Sequence, residues 1–578
     1  MKSESVFFTL EQGGAQPLYM QIYGHLRNEM RLGSLAKGAR LPSTRALAAD
    51  LGVSRSTTQL AYDQLEAEGY VESVPYRGYF VAEIPRDVGD WASGAGGADR
   101  AGGAGGADRE NELYGLNGLE VESLPPVSAP GAGPGAQSGR GPGAQSGSTA
   151  AVWSGDTPIP SPDGKPNLHQ HIIDFSPSGI DAGSFPYATW RRLTKDVLSP
   201  AGGGLHAPES GGRRGNVFLS GEGRGEPEFC AAIAGYLRRA RGVICHPGQI
   251  IVGAGNEILL FVLHTILKNH ITPGGFDDGF DYPCYAMETY TYAKAYRIFK
   301  GMGAGVAAIS MDGAGMCPDA LLSSGANIAY VMPSHQFPTG IVMPVARRQE
   351  LLGWAAAGWG RYIIEDDYDS ELRYRGRPIP ALQGMDSQDR VIYMGTFSRA
   401  VAPAIRVGYM VLPRGLIPLY EKYASHFSCT VSRIDQCILT AFIGGGYFER
   451  HLNRMRTVYR GKQETLSEAL APLAGSFDIS GMEAGVHLLM TDRSGRTQSD
   501  LLESAMAAGV RVYGMGRYLV REGQGSGYDG AQKVAGINTG SNVEKAGEKA
   551  PVTVLVGFAS LTKEEIAEGA RRLVQAWG

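Results

Sequence analysis

Three stretches of this sequence place side chains that could hold a small ligand together. Glu365-Asp366-Asp367-Tyr368-Asp369 sets four carboxylates and a phenol directly after the apolar run Tyr362-Ile363-Ile364. Gly395-Thr396-Phe397-Ser398 puts two hydroxyls after Val391-Ile392-Tyr393-Met394, and Arg399 and Arg406 follow, seven residues apart. Arginine forks onto carboxylate and phosphate better than any other side chain. In the third stretch, Gly253-Ala254-Gly255-Asn256 follows Ile250-Ile251-Val252 and opens a helical pattern through Leu259, Leu260, Val262, Leu263 and Leu267. Main-chain amides at such a helix start suit a phosphate.

The elements that must position these groups read as alternating strands and helices from His171 onward, an α/β fold with a large, mostly parallel sheet. A further apolar run, Ile328-Ala329-Tyr330-Val331-Met332, leads into Pro333-Ser334-His335-Gln336-Phe337-Pro338-Thr339-Gly340. Buried parallel strands present ligand-binding residues beyond their carboxyl ends, so the tips should converge on one site. Taken singly, Asp366 reads as a surface carboxylate and Arg406 as one half of a salt bridge. On successive strand tips they read as one pocket.

The N-terminal residues 17–83 have a different pattern. Leu18, Ile22, Leu26 and Met30 make one apolar stripe of a first helix. Ser43 can cap a short helix that turns Leu47 and Leu51 inward, and Ser54 can cap a third that runs to about residue 68 and buries Leu60, Ala61 and Leu65. Two alternating strands then flank Pro75-Tyr76-Arg77-Gly78. Helix, helix-turn-helix and hairpin in that order predict a winged helix whose third helix enters the major groove.

Between the two modules, residues 84–170 read as a flexible linker. From Trp91 to Ala150, Gly and Pro supply 21 of 60 residues and Val, Ile, Leu and Phe only six, too few to offset the entropy of ordering. Gly-Gly-Ala-Asp-Arg recurs at 96 and 105, and Gly-Pro-Gly-Ala-Gln-Ser-Gly at 133 and 141. Residues 201–215 and 522–550 have a similar composition and read as surface insertions.

Composition bounds the rest. A chain of 578 residues with 43% apolar residues and a formal charge of −4 is a multi-domain protein without a global nucleic-acid signature. Six scattered cysteines without a C-x-x-C pair point to reduced thiols and no metal site. Met1-Lys2-Ser3-Glu4-Ser5 lacks the pattern of a signal peptide, and no apolar run reaches the ~18 residues of a membrane helix. The expected location is the cytoplasm.

Two resemblances are carried by motifs. Leu41-Pro42-Ser43-Thr44-Arg45, Gly52-Val53-Ser54-Arg55-Ser56-Thr57 and Glu66-Ala67-Glu68-Gly69-Tyr70 resemble the DNA-binding domains of the GntR family. The resemblance implies that Arg45, Ser54, Arg55, Ser56, Thr57 and Gln59 meet double-stranded operator DNA, with Arg77 and Gly78 on the wing. The strand-tip motifs, with His451-Leu452-Asn453-Arg454-Met455-Arg456 and Ala484-Gly485-Val486-His487, resemble the fold-type I, aminotransferase-like domain of MocR-type regulators. Those regulators join the same two modules in the same order.

That second resemblance implies a pyridoxal 5'-phosphate site. Asp366 would meet the ring nitrogen, Tyr368 the ring hydroxyl and Tyr285 the ring face. Thr396, Arg406 and the amides of Ala254, Gly255 and Asn256 would hold the phosphate; His335 and Gln336 both remain open as partners of the ring hydroxyl. Arg399 stands where the family has its cofactor-linking lysine, and Ala400 where it usually has threonine. A guanidinium stays protonated to above pH ~12 and cannot serve as the amine nucleophile. No catalytic residue is therefore expected, and transamination should be absent or very weak.

The implied protein is a transcriptional regulator that senses pyridoxal phosphate, bound without a covalent link, or an amine or amino-acid effector. Two other readings stay open: an effector sensor that has lost the cofactor, and an active aminotransferase served by a different lysine. The resemblance also implies a head-to-tail homodimer, a large subdomain over about 215–445 and a small one over about 446–578. Arg511, Arg517 and Arg521 are the neighbourhood candidates for gripping a substrate carboxylate.

Overall fold

The computed structural model describes Phe8, residues 10–11, 16–83, 172–199, 217–271, 283–374, 379–520 and 552–578. The linker at 84–170, both segments expected as surface insertions and Arg521 lie outside the described residues.

The N-terminal module has helices Leu18–Leu32, Thr44–Asp50 and Arg55–Ala67, followed by antiparallel strands Val71–Val74 and Gly78–Val81. Local chemistry sets its boundaries. Ser43 Oγ accepts the Ala46 amide at 3.1 Å and Ser54 Oγ the Thr57 amide at 3.2 Å, so each hydroxyl caps its helix by taking a helix-start donor. Ile22, Leu26, Met30, Leu47, Ala61, Tyr62 and Leu65 form the core. Leu60 is a correction: it is 45% exposed, because the inward face of its helix runs through Thr58, Ala61, Tyr62 and Leu65. Tyr62 takes the inward place expected of Leu60.

The C-terminal domain contains a seven-stranded sheet. In spatial order the strands are Ile250–Gly253, Gly408–Val411, Val391–Thr396, Tyr362–Asp367, Ile328–Val331, Cys284–Glu288 and Gly305–Ile309. Only Gly408–Val411 runs antiparallel to its neighbours. The three strands that end in polar chemistry are adjacent, with Asp367 paired to Gly395 and Glu365 to Val331. Helices cover both faces, and the strands are buried along nearly their whole length. The long helix Tyr447–Leu470 leads to an antiparallel sheet of Phe477–Ser480, His487–Asp492, Thr553–Gly557 and Tyr513–Gly514. Strand Ile173–Asp174 pairs with Val510–Arg511, which returns the beginning of the domain to its end.

Candidate functional site

Asp366 is the penultimate residue of its strand, so its side chain stands at the carboxyl edge of the sheet. It is buried, accepts a hydrogen bond from the Tyr330 hydroxyl of the adjacent strand, and lies 3.2 Å from Asn256 Nδ2. Burial pushes its carboxyl up to about 7; the Tyr330 bond opposes that shift, while the charges of Asp367 and Asp369 reinforce it. Asn256 Oδ1 is buried without a hydrogen-bond partner. Asp367 points the other way, into a buried ion pair with Arg241 at 2.7 Å, and Arg241 also reaches Ser334 Oγ at 2.7 Å.

The loop that follows strand Ile328–Val331 supplies the next wall. His335 Nδ1 lies 2.9 Å from Asp369 Oδ2 and 3.1 Å from the Tyr368 hydroxyl. Gln336, the alternative partner in the sequence reading, turns instead to Glu288 at 2.9 Å and to the Tyr290 carbonyl at 2.6 Å. Phe337 stands among Tyr292, Tyr368, Tyr518 and His487, with ring centroids 5.0 to 6.5 Å away.

Tyr285 is a second correction. It is fully buried, stacks on Phe299 at 3.8 Å and meets His264 Nδ1 at 3.0 Å through its hydroxyl. It is the second residue of its strand, whereas the site lies beyond the strand's carboxyl end. Tyr292, seven residues on, occupies the region expected of it: its hydroxyl feels the charges of Asp366, Glu257, Arg399 and Arg406 after the larger effect of burial.

The anion-binding candidates come together, but several are already engaged. The Ala254 amide donates to Thr430 Oγ1 at 2.8 Å and the Gly255 amide to the Gly253 carbonyl at 2.8 Å, leaving Asn256 at the start of its helix. Thr396 Oγ1 accepts the Ser398 amide at 3.1 Å and caps the short helix Phe397–Ala400. Arg406 pairs with Glu257 at 2.7 Å. Gly255 has φ +91°, a conformation that favours glycine, and a Cβ there would lie 2.6 Å from Arg406 Nη2 and displace that side chain's end.

Arg399 donates from Nη2 to the Pro177 carbonyl at 2.9 Å and from Nη1 to the Gly179 carbonyl at 3.1 Å. It thus fastens the segment before helix Tyr187–Leu198 to the end of the central sheet. Lys462, a buried lysine near that segment, is committed to Asp181 at 2.9 Å and to the Ala559 carbonyl at 2.8 Å. Of the carboxylate-gripping candidates, Arg511 lies 3.4 Å from Asp174, and Arg517 covers the rings of Tyr513 and Tyr518.

On the N-terminal module, Arg45, Ser54, Arg55, Ser56 and Arg77 are exposed, and Thr57, Gln59 and Gly78 partly so. The Ser54 hydroxyl links to Ser56 Oγ at 2.7 Å and to Thr57 Oγ1 at 2.8 Å. Gln59 reaches the Tyr79 hydroxyl at 2.9 Å and so ties the third helix to the wing. Sequence reading missed Tyr330, Tyr292, Thr430 and Arg241. Tyr330 and Tyr292 were available as aromatics near strand tips; Arg241 meets its partner 126 positions away and has no local signal.

Comparisons with known proteins identify the two modules. Residues 18–81 match the family of bacterial regulatory proteins, gntR family, and residues 205–515 match aminotransferase class I and II. The HTH-type transcriptional regulator YdeL of Bacillus subtilis is 31% identical, with 97% of each chain covered. The probable rhizopine catabolism regulatory protein MocR of Rhizobium meliloti is 32% identical over 88% of each chain. The pyridoxine biosynthesis regulator PdxR of Corynebacterium glutamicum is 27% identical, with 86% of this chain and 88% of its own covered. Among solved structures, the multiple substrate aminotransferase of Thermococcus profundus superposes with a TM-score of 0.56 over 71% of this chain and 92% of its own, at 23% identity.

Proposed function

The chain belongs to the MocR-type transcriptional regulators, which join a GntR-family winged helix to an aminotransferase-like domain, and from that premise we propose that it binds operator DNA under the control of a pyridoxal phosphate pocket that forms no covalent link. The pocket residues fit that group. Gly255, in the turn just before the Asn256 helix start, lacks the Cβ that would crowd Arg406. Asp366 would hold the ring nitrogen, with Tyr330 and Asn256 fixing its carboxyl. Tyr368, set by His335, would face the ring hydroxyl, and Tyr292 the ring. Thr396, Arg406 and the Asn256 helix start would hold the phosphate. When bound, pyridoxal phosphate supplies an electron-withdrawing ring, which a carboxylate at its nitrogen keeps protonated.

The observation that carries the reading is Arg399. Its guanidinium is tied to two main-chain carbonyls just beyond the strand that neighbours that of Asp366, where it can orient a ligand but offers no neutral amine. Lys462 is held by Asp181, which disfavours the active aminotransferase. The reading further places the protein in the cytoplasm as a head-to-tail homodimer presenting two winged helices to paired half-sites, with an amine or amino acid as co-effector. Among the described residues, no helix is long and apolar enough to cross a membrane.

Footprinting of the upstream region of its own gene, with and without pyridoxal phosphate, tests the regulator. Protection that changes with pyridoxal phosphate is expected; no protection under either condition would end the proposal. An absorbance titration tests the pocket. Arg399→Lys should acquire a borohydride-reducible adduct that the natural protein lacks.

A further inference from the structure

We propose that Arg399 makes this pocket acid-preferring: among pyridine phosphates it favours one whose 4' carbon is a carboxylate over the corresponding aldehyde, pyridoxal phosphate, and over the amine. The inference rests on the pocket proposed above and deepens it by naming the ligand class.

The first support is that the Arg399 charge is oriented but not neutralised. Carbonyls of Pro177 and Gly179 fix the plane of the guanidinium, and both are uncharged acceptors. A guanidinium has five N–H donors, so three remain after these two bonds. Two surrounding carboxylates have cationic partners of their own, Glu257 with Arg406 and Asp181 with Lys462, and Asp369 lies 2.9 Å from His335 Nδ1. Asp366 is held by Tyr330 and Asn256. No ion pair involves Arg399 among the described residues, whereas Arg241 has Asp367.

The second support is the surroundings. The charge of Arg399 is felt by the hydroxyls of Tyr292, Tyr368, Tyr459 and Tyr518 and by the ring of His487, from five separate elements. All five groups are neutral near pH 7; burial pushes the hydroxyls of Tyr292 and Tyr459 further up, to about 12, and the His487 ring down to about 4. Phe337 sits among three of these tyrosines. The result is an aromatic chamber holding a cation that has no ion pair among the described residues, to which a planar ring acid is complementary. A carboxylate accepts two parallel N–H bonds from a guanidinium. An ammonium in the same place meets like charge, and an aldehyde accepts without charge.

Calorimetric titration of the full-length protein with 4-pyridoxic acid 5'-phosphate, pyridoxamine 5'-phosphate, pyridoxal phosphate and inorganic phosphate tests this directly. The acid should bind at least tenfold tighter than the amine, and inorganic phosphate far more weakly than either. In Arg399→Gln, with folding checked by thermal melting, that preference should fall to about unity. Equal or tighter binding of the amine by the natural protein would overturn the inference without needing any variant. If Arg399→Lys captures pyridoxal phosphate while the natural protein treats acid and amine alike, the pocket reading stands and this inference alone falls. If no phosphate ester binds either protein, both fall.

Discussion

At the scale of single residues, the site is governed by burial acting in opposite directions on neighbouring groups. Asp366 is pushed up to about 7, so in the folded chain it holds its proton between the unfolded carboxylate range and pH 7. His487 moves the other way, down to about 4, because burial and the nearby His335 disfavour its charged form. For a histidine with a lowered folded value, the unfolded state binds more protons between about pH 4 and 6.5, so this contribution to stability is lost as pH falls through that window. Asp366 has the opposite sign, since its contribution is lost as pH rises from about 4 to 7. The two partly cancel in the natural protein, and a difference measurement is needed to separate them. We expect His487→Gln to be destabilised at pH 7.5, where the bond to the Pro338 carbonyl at 3.1 Å is weakened, but relatively less so at pH 5. Thermal melts of the two proteins across pH 5 to 7.5 would check this; a difference independent of pH would show that His487 is not buried neutral.

At the scale of elements, legibility followed periodicity and strand ends. The stripe Leu18, Ile22, Leu26 and Met30, and the caps Ser43 and Ser54, were readable because a helix period and a capping hydroxyl are local properties. The adjacency of the three polar strand tips followed from the rule that parallel strands present ligands at their carboxyl ends, and the sheet order places them side by side. Register was harder to see. Tyr285 is at the beginning of its strand and Tyr292 beyond its end, and sequence alone did not say which aromatic cleared the sheet. Long-range pairs such as Arg241 with Asp367, and Arg399 with Pro177 and Gly179, carry no sequence period at all. The recognition helix yields a direct prediction. Ser54→Ala removes the cap and should cost about 1 kcal/mol of stability. Arg55→Ala should leave stability within about 0.5 kcal/mol but weaken operator binding. If Arg55 contacts a phosphate, the slope of log affinity against log salt should shrink by about one. Fluorescence anisotropy at several salt concentrations would decide; an unchanged affinity and slope would remove Arg55 from the interface.

At the scale of the whole molecule, the DNA-binding module contacts the residue that follows one of the loops forming the pocket. The Val345 amide donates to the Glu68 carbonyl at 3.0 Å, and the Val345 side chain is buried in the winged-helix core. The Glu68 carboxyl is itself buried between the Tyr23 hydroxyl at 2.7 Å and Gln64. Val345 follows directly on the loop that carries Ser334, His335 and Gln336. That loop is braced at its base by Arg348, which donates to the Pro333 carbonyl at 3.0 Å and the Met343 carbonyl at 2.9 Å. A ligand that re-sets His335 against Tyr368 therefore acts on a short, buttressed segment whose far end is packed into the DNA-binding module. Differential binding to two arrangements of this segment would give the coupling a physical basis. Gly69 is where it can be tested, because it has φ +75° and a Cβ there would lie 2.7 Å from Pro344 Cβ. Alanine at 69 should push Pro344 away and loosen the junction while leaving every pocket residue in place. Ligand affinity of the C-terminal domain should then stay within about twofold, which is under ~0.5 kcal/mol, and the ligand-dependent change in operator affinity should shrink toward none. Paired titrations of ligand into protein and of protein into labelled operator would check both halves. Retention of the full ligand response in Gly69→Ala, with the alanine variant folded, would mean that the signal travels by another route.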